Sequence, residues 1–334
     1  MRTACCLDVF LRTMLLPQLV HFGAVSNSKL RRLIISGSVC VNGTLLRYPS
    51  YALHPGSTVS VMLDRDRFFF EKRPDDIAFE LESRAVLYED DFLIVVNKPP
   101  FFPTEGTVVA GRDNMHAAVV RYLQRMSGPS RNSPYCGIMH RLDRETSGVL
   151  LFTKQRSVNA AVHEMFEKHT TEKIYRAVCT SKNVPPFPDE FFDVENFIGR
   201  ISPQSSAAKW GPLPEPRGGV YAHTIFRNLG PGMVPSYHAD EKKGGNASLF
   251  LKQGSGRSTD GIPVYFMEVK LLTGRTHQIR VHSSSAGFSL LGDTLYGGLP
   301  YTRVMLHAAV LTFTHPVTGL RISVEAPLPE LFYQ

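Results

Sequence analysis

From residue 84 onward the chain is cut into apolar runs of strand length, and each run is closed by prolines, glycines or a charged cluster. FLIVVNKPP at 92–100 is an apolar run stopped by two prolines, the mark of a buried strand. GVLLFTK (148–154), EKIYRAVCT (172–180), GVYAHTIFRN (219–228), VYFMEVKLL (264–272), VMLHAAVLTF (304–313) and LRISVEA (320–326) read as further strands. Between them RDNMHAAVVRYLQRM (112–126) and SVNAAVHEMFEKH (157–169) repeat apolar residues at helical spacing, with Asp113 and Ser157 placed as caps. THPVTGL turns the last two strands into an antiparallel pair. The expected fold class is therefore α+β: a mixed, largely antiparallel sheet with flanking helices over residues 84–334. Residues 229–261, rich in Gly, Ser and charge and without periodicity, are expected to form a flexible insertion.

A smaller α/β unit is expected ahead of this domain, over residues 5–63. SKLRRLIISGSVCVNGTLLRYPSYALHPGSTVSV (28–61) reads as a basic helix, a short strand, a turn at Asn42-Gly43, a second extended stretch, a Pro-Gly turn and a last strand. Lys29, Arg31 and Arg32 share the helix with Leu30, Leu33 and Ile34, so its basic side chains can face outward while the aliphatic ones pack. Residues 64–83 mix charge, aromatics and Pro74 without a period and are expected to be a linker.

Two domains suit 334 residues. With 37 Lys and Arg against 30 Asp and Glu, the net charge of +7 favours a polyanionic partner such as nucleic acid. The five cysteines are scattered without a C-x-x-C pair, which argues against a disulfide framework and a zinc site and for a reducing compartment. No apolar run reaches the ~18 residues of a membrane span, so a soluble protein is expected. The N-terminal MRTACCLDVFLRTMLLPQ is apolar, with Arg2 and Arg12 and a single acid, and has the look of a targeting segment.

The densest chemistry lies in MHRLDRETSGVLLFTK (139–154), where His140, Arg141, Asp143 and Arg144 run straight into an apolar strand. Polar residues also stand at strand ends in NKPPFFPTEG (97–106), KIYRA (173–177) and LLTGRTHQIRVHSSSAGFSLLGDTLYGG (271–298). In the last of these, Thr273 or Thr276 can cap a helix from about His277 to Gly287, with His277 and Arg280 on one face. His277 and His282 have no Glu between them, so a zinc hydrolase is disfavoured, and no Ser stands in a nucleophile elbow. YEDD (88–91) reads as a turn between two strands more readily than as a magnesium site. Spacing alone leaves Asp143 open as a turn cap, a solvated charge, a metal ligand or a reactive carboxylate surrounded by guanidiniums.

These segments together resemble a known family. HRLDRETSGVLLFTK is similar to the catalytic signature of the RluA-type pseudouridine synthases, in which HRLD is followed by two variable residues, TSG and an aliphatic run. YEDDFLIVVNKP, KIYRAV, LTGRTHQIRVH with GDTLYG, and LHAAVLTFTHPVTG with APLP resemble the family's other motifs in the same order. Residues 28–61 resemble the S4 RNA-binding module, and LDVFL (7–11) stands where such modules begin their first helix, so a cleaved presequence is not expected.

The resemblance implies isomerisation of uridine to pseudouridine in structured RNA, ribosomal or transfer, without metal or organic cofactor. It implies Asp143 as the essential carboxylate, Tyr175 as the aromatic beside the target base, Arg280 as the ion-pair partner of Asp143, and Arg141 as the residue holding open the stack. His140, Lys98, Arg275 and His277, in the same motifs, are the further expected substrate contacts, and Lys29, Arg31 and Arg32 the RNA contacts of the small unit. A monomer in the cytoplasm is expected, with the mitochondrion as the alternative. Two rival functions are an assembly factor that only grips RNA and an RNA hydrolase using His140, Asp143 and His277. The chain departs from the family after Lys98-Pro99, where a small residue and Gly are usual and Pro100, Phe101 and Phe102 stand here, and in HSSSAG, more polar than the usual aliphatic helix.

Overall fold

The structure, a computed structural model, describes residues 5–19, 27–35, 37–63, 77–106, 112–128, 132–180, 191–202, 208–236 and 261–332. Those up to 63 fall in one compact unit and those from 77 onward in another. Among the described residues no helix is long and apolar enough to cross a membrane.

In the small unit, the helices Leu7–Met14 and Asn27–Ile35 pack beside the short strands β1 (Cys5–Cys6), β2 (Val39–Val41), β3 (Thr44–Leu46), β4 (Ala52–Leu53) and β5 (Val59–Val61). Leu7 and Leu11, one turn apart, join Leu30, Leu33, Ile34, Val39, Val41 and Leu53 in one core. Asn42 and Gly43 both take left-handed backbone (φ 50° and 80°), the geometry that lets a two-residue turn follow the twist of the paired strands β2 and β3. Arg31 is exposed, with its Nε 3.6 Å from Asp8. The side chains of Lys29 and Arg32 lie outside the described residues.

The large unit is built on one sheet, with strands β6 (Val86–Glu89), β7 (Leu93–Lys98), β8 (Gly137–Ile138), β9 (Ser147–Thr153), β10 (Glu172–Thr180), β11 (Phe191–Arg200), β12 (Trp210–Pro212), β13 (Val220–Pro235), β14 (Gly261–Leu271), β15 (Ser289–Leu290), β16 (Leu306–Thr314) and β17 (Arg321–Glu325). Its order is β12-β11-β13-β14-β10-β16-β9-β7-β6, with β8, β15 and β17 attached to β9, β10 and β16. Every pairing is antiparallel except β9 with β16, so the sheet is mixed and largely antiparallel. The unbroken apolar run of β7 has a simple cause. Ile94 and Val96 enter the core beneath the helices Met115–Ser127 and Gln278–Ser285, while Leu93 and Val95 enter a second core with Val162 of the helix Asn159–Glu167.

Element edges differ from the sequence reading in four places. Asn114, not Asp113, caps the helix Met115–Ser127 by accepting the Ala117 N–H at 3.0 Å, because Asp113 is drawn into a pair with Arg121. The following helix is entered through a 3₁₀ turn at Arg156–Val158 with no side-chain cap bond, so Ser157 does not cap it. Strand β13 continues to Pro235 and pairs with β14 back to Gly261, so residues 229–235 belong to the sheet; a bulge between Asn228 and Gly230 (φ 122°) absorbs the change of register. The rest of the expected insertion, 237–260, and the linker residues 64–76 lie outside the described residues. Residues 77–83 are not linker: Leu81 is buried in the main core and the Phe79 ring lies 5.3 Å from that of Phe102.

One contact fixes where the charged segment 139–146 emerges. Gly148 on β9 is paired with Ala308 on β16, and Ala308 is paired on its other side with Tyr175 on β10. Gly148 has φ 114°, and a Cβ there would overlap the Ala308 backbone. Replacing it combines left-handed strain with a backbone clash, so Gly148→Ala is expected to cost about 3–5 kcal/mol. Urea unfolding checks this; a loss under ~1 kcal/mol would show that β9 can shift without harm.

Candidate active site

Three segments meet at the level of Gly148. The loop before β9 carries His140, Arg141, Asp143 and Glu145, β10 carries Lys173 and Tyr175, and the turn before the helix Gln278–Ser285 carries Arg275 and His277. All of these but Glu145 line an open cavity of about 1020 Å³, also bordered by Pro103, Thr104, Met139, Phe166 and Leu271. A recess of about 80 Å³ lies among Asp143, Thr146, Tyr175, His277, Arg280 and Leu306. Thr104 ties the loop after β7 to this wall, donating to the Leu142 carbonyl (2.8 Å) and accepting the Leu142 N–H (3.2 Å).

Asp143 is partly exposed at the join of cavity and recess. Its Oδ2 lies 3.6 Å from Arg280 Nη1 and 3.8 Å from His277 Nε2. Arg280 is buried, and its strongest tie is elsewhere: Nε and Nη2 donate to the two oxygens of the buried Asp293 at 2.7 and 2.8 Å. The same Nη1 that faces Asp143 is 4.0 Å from Glu145. Burial works against the Arg280 charge, but Asp293, Asp143 and Glu145 together raise its pKa above the ordinary value. Burial alone would raise the Glu145 carboxyl; its backbone hydrogen bond, Arg144 and Arg280 outweigh that and hold it below the usual range. The arrangement is a cation fixed by one carboxylate and presented to two others.

Tyr175 is 8% exposed. Burial, then Asp143, pushes its phenol well above the ordinary value, so it keeps its proton at neutral pH. His277 has left-handed backbone (φ 56°) and a hydrogen bond between Nδ1 and the Tyr296 hydroxyl at 2.9 Å, which turns Nε2 to Asp143. Burial holds the His277 pKa below its usual value against the pull of Asp143. The helix behind it is not capped by a threonine side chain. Instead Gln278 Oε1 accepts from Thr273 Oγ1 (2.7 Å) and from the Arg275 N–H (3.0 Å), closing the turn from within.

The other expected contacts divide. Arg141 is exposed at the lip of the cavity and paired with Glu105. Arg275 lines the wall, its Nε donating to the Tyr221 carbonyl at 3.0 Å. His140 lines the cavity with its ring stacked on Phe166 at 4.5 Å, and its Nε2 accepts the Leu151 N–H at 3.0 Å. Burial, with Lys173 nearby, pushes its pKa down to about 3, so His140 stays neutral and its acceptor nitrogen is already engaged. Lys98 must be corrected: it is 0% exposed and does not line the cavity. Its ammonium donates to the carbonyls of Phe102 (2.8 Å), Pro99 (2.9 Å) and Arg144 (3.2 Å), and burial above all brings its pKa down to about 7. Lys98 shapes the loops and does not meet a ligand.

Phe101, where the resemblance leads one to expect Gly, takes left-handed backbone (φ 60°), a conformation that favours glycine and costs this chain about 1 kcal/mol. Its ring lies under the Arg144 guanidinium at 5.5 Å. Two serines of HSSSAG also have partners: Ser283 donates to the Ile279 carbonyl and Ser284 to that of Tyr296 (2.8 Å). Asp293, Glu145, Lys173 and Tyr296 are the site residues that sequence reasoning missed. Asp293 and Tyr296 stand in GDTLYG, but no periodicity links Arg280 to a residue thirteen positions on. Asp193, Glu195 and His223 on β11 and β13 lie close enough to share a metal ion, yet they are outside the cavity lining, and the histidine is already held by Asp193.

The family model described as RNA pseudouridylate synthase matches residues 92–285. The ribosomal large subunit pseudouridine synthase D of Zymomonas mobilis is 32% identical, covering 92% of this chain and 87% of its own length. The ribosomal large subunit pseudouridine synthase C of Escherichia coli is 29% identical, covering 97% and 89%. The solved structure of human RNA pseudouridylate synthase domain containing 1 superposes with a TM-score of 0.53 at 23% identity, over 75% of this chain and 87% of that one, and so shares its fold.

Since Arg280 is held by Asp293, Asp293→Asn leaves a buried guanidinium without its main counter-charge and is expected to cost about 3 kcal/mol. Denaturant unfolding at neutral pH measures it. A loss below ~1 kcal/mol would mean that Asp143 and Glu145 suffice to hold the cation.

Proposed function

Because the chain belongs to the RNA pseudouridylate synthase family, we propose that Asp143 acts on the ribose of a uridine turned out of large-subunit ribosomal RNA into the cavity. The enzyme is an isomerase: the bond from N1 to C1′ breaks, the base turns, C5 bonds to C1′, C5 loses its proton and N1 gains one. A paired helix would hide that bond, so the nucleotide must leave the stack. The observation that carries the assignment is the Asp143 carboxylate at the join of cavity and recess, facing Arg280 Nη1 at 3.6 Å and His277 Nε2 at 3.8 Å, with Tyr175 lining the same space.

Asp143 serves as nucleophile at C1′ or as base at C2′; both need a carboxylate, and Arg280 and His277 are the groups that steady it. Tyr175 offers the base a ring face and a protonated hydroxyl. Arg141, exposed at the lip, is free to exchange Glu105 for the gap left in the RNA stack. Large-subunit ribosomal RNA is favoured over transfer RNA because the relatives named for it align over 92% and 97% of this chain, the small unit included. Cys6, Cys40, Cys136 and Cys179 are free thiols, which fits work in a reducing compartment such as the cytoplasm or the mitochondrial matrix.

Asp143→Asn preserves size and removes the charge. Pseudouridine mapping of ribosomal RNA incubated with wild type and variant is expected to show a loss of about three orders of magnitude or more in rate, with RNA binding retained. Substantial turnover by the variant refutes the assignment, and a product confined to transfer RNA refutes the choice of substrate.

The small unit is proposed to be an S4-like RNA-binding module in which Lys29, Arg31 and Arg32 present positive charge on the helix Asn27–Ile35. A chain beginning at residue 77, which keeps Leu81 in its core, is expected to bind ribosomal RNA more weakly and with a shallower salt dependence, because fewer counterions are released. Unchanged affinity and slope would assign RNA binding to the catalytic unit alone.

A further inference from the structure

One wall of the cavity carries charge that the isomerisation leaves unused. Lys173 stands two residues before Tyr175 on β10, and both line the cavity. Lys173 is only 9% exposed, yet among the described residues no carboxylate or hydrogen-bond acceptor meets its ammonium. The adjacent Glu172 pairs instead with Lys270 at 2.8 Å. The three acids that line the cavity are engaged elsewhere: Glu105 with Arg141, Glu167 with His163, and Asp143 with Arg280 and His277. What surrounds Lys173 is positive. Arg275 acts on it through space, and His169 feels both. Burial, then Arg275, holds the Lys173 pKa below its ordinary value. Gly274 leaves the amine uncovered, since a side chain at that position would lie against it.

A largely buried lysine with no counter-charge destabilises the empty protein, and the Arg275 guanidinium beside it adds repulsion. Such a cluster is tolerated where an anion arrives with the ligand. Arg275 engages its Nε with the Tyr221 carbonyl, and its terminal guanidinium nitrogens remain for that anion. We propose that Lys173, with Arg275 and His169, seats a backbone phosphodiester next to the reacting uridine, which makes Lys173 a substrate-positioning residue. The proposal rests on the assignment of this cavity to a flipped-out uridine. A lysine this deeply set reaches no phosphate on the outside of a duplex; it meets only a backbone drawn into the cavity. Seating that phosphate fixes the sugar from the cavity, whereas Arg280 faces Asp143 from the recess, so that binding and positioning come from separate cations.

The test reads binding and is independent of turnover. With wild-type enzyme, uridine 5′-monophosphate is expected to bind more tightly than uridine; equal affinities overturn the proposal without any variant. With a fluorescein-labelled pentauridylate, Lys173→Met is expected to weaken binding about tenfold at low salt and to lower the slope of log affinity against log salt by about 0.7, the single-strand value for one phosphate. Its thermal midpoint is expected to stay the same or rise, because the removed charge has no partner in the empty protein. Lys173→Arg is expected to recover most of the affinity and the slope. An unchanged slope in Lys173→Met, or a fall in midpoint with no recovery in Lys173→Arg, makes Lys173 structural and overturns the proposal. Asp143→Asn enzyme run in parallel is expected to keep the phosphate-dependent affinity. If that phosphate term stands while pseudouridine formation is absent from wild type, the catalytic assignment fails and the anion seat survives.

Discussion

The active centre depends on the backbone contact between Gly148 and Ala308. It is the one parallel pairing in an otherwise antiparallel sheet among the described strands, and only two residue pairs long. Across it, β9 is placed beside β16, which in turn is paired with β10, so the loop carrying Asp143 opens over the stretch of β10 that carries Tyr175. Two groups 32 positions apart in sequence thus meet across an intervening strand, whose Leu306 lines the recess between them. No side chain fits at Gly148, which explains why an otherwise apolar strand has a glycine there.

On this frame the electrostatics follow from burial. A guanidinium taken out of water is costly unless paired, and Asp293 pairs two of the Arg280 nitrogens. That leaves Nη1 for Asp143 and Glu145, at distances too long for direct hydrogen bonds and short enough for strong Coulomb attraction. The looser contact suits the proposed role of Asp143, in which the carboxylate leaves its partner to reach a sugar. His277 is restrained in the same way, with one nitrogen on Tyr296 and the other turned to Asp143.

Two departures from the family pattern have local structural reasons. The Phe101 backbone is left-handed, and its ring lies under Arg144, a cavity-lining residue, while Lys98 gathers three carbonyls from the same turn and from the Asp143 loop. A buried lysine and a strained phenylalanine together hold this turn. Ser283 and Ser284 in the helix Gln278–Ser285 are likewise occupied: Ser284 fastens the turn that carries Tyr296.

The sequence alone determined the elements and their chemistry. Apolar runs broken by Pro and Gly marked β7, β9, β10, β13, β14, β16 and β17 but not β11, Asn42-Gly43 marked a hairpin, and the charged motif ahead of β9 drew attention to Asp143, whose role only the family resemblance supplied. These are local signals, since periodicity and turn preferences act within a few residues. Partnership across the fold was decided only in three dimensions. Lys98 and Lys173 are both lysines beside strands, and nothing local tells one from the other. Tertiary packing surrounds the first with carbonyls at 0% exposure and leaves the second facing the cavity beside Arg275. Arg280 likewise carries no sign in sequence that its main counter-charge is Asp293, because the turn that returns the chain to it follows the end of the helix, beyond the reach of any helical spacing. Burial sets which charges need partners, and burial is a property of the assembled sheet.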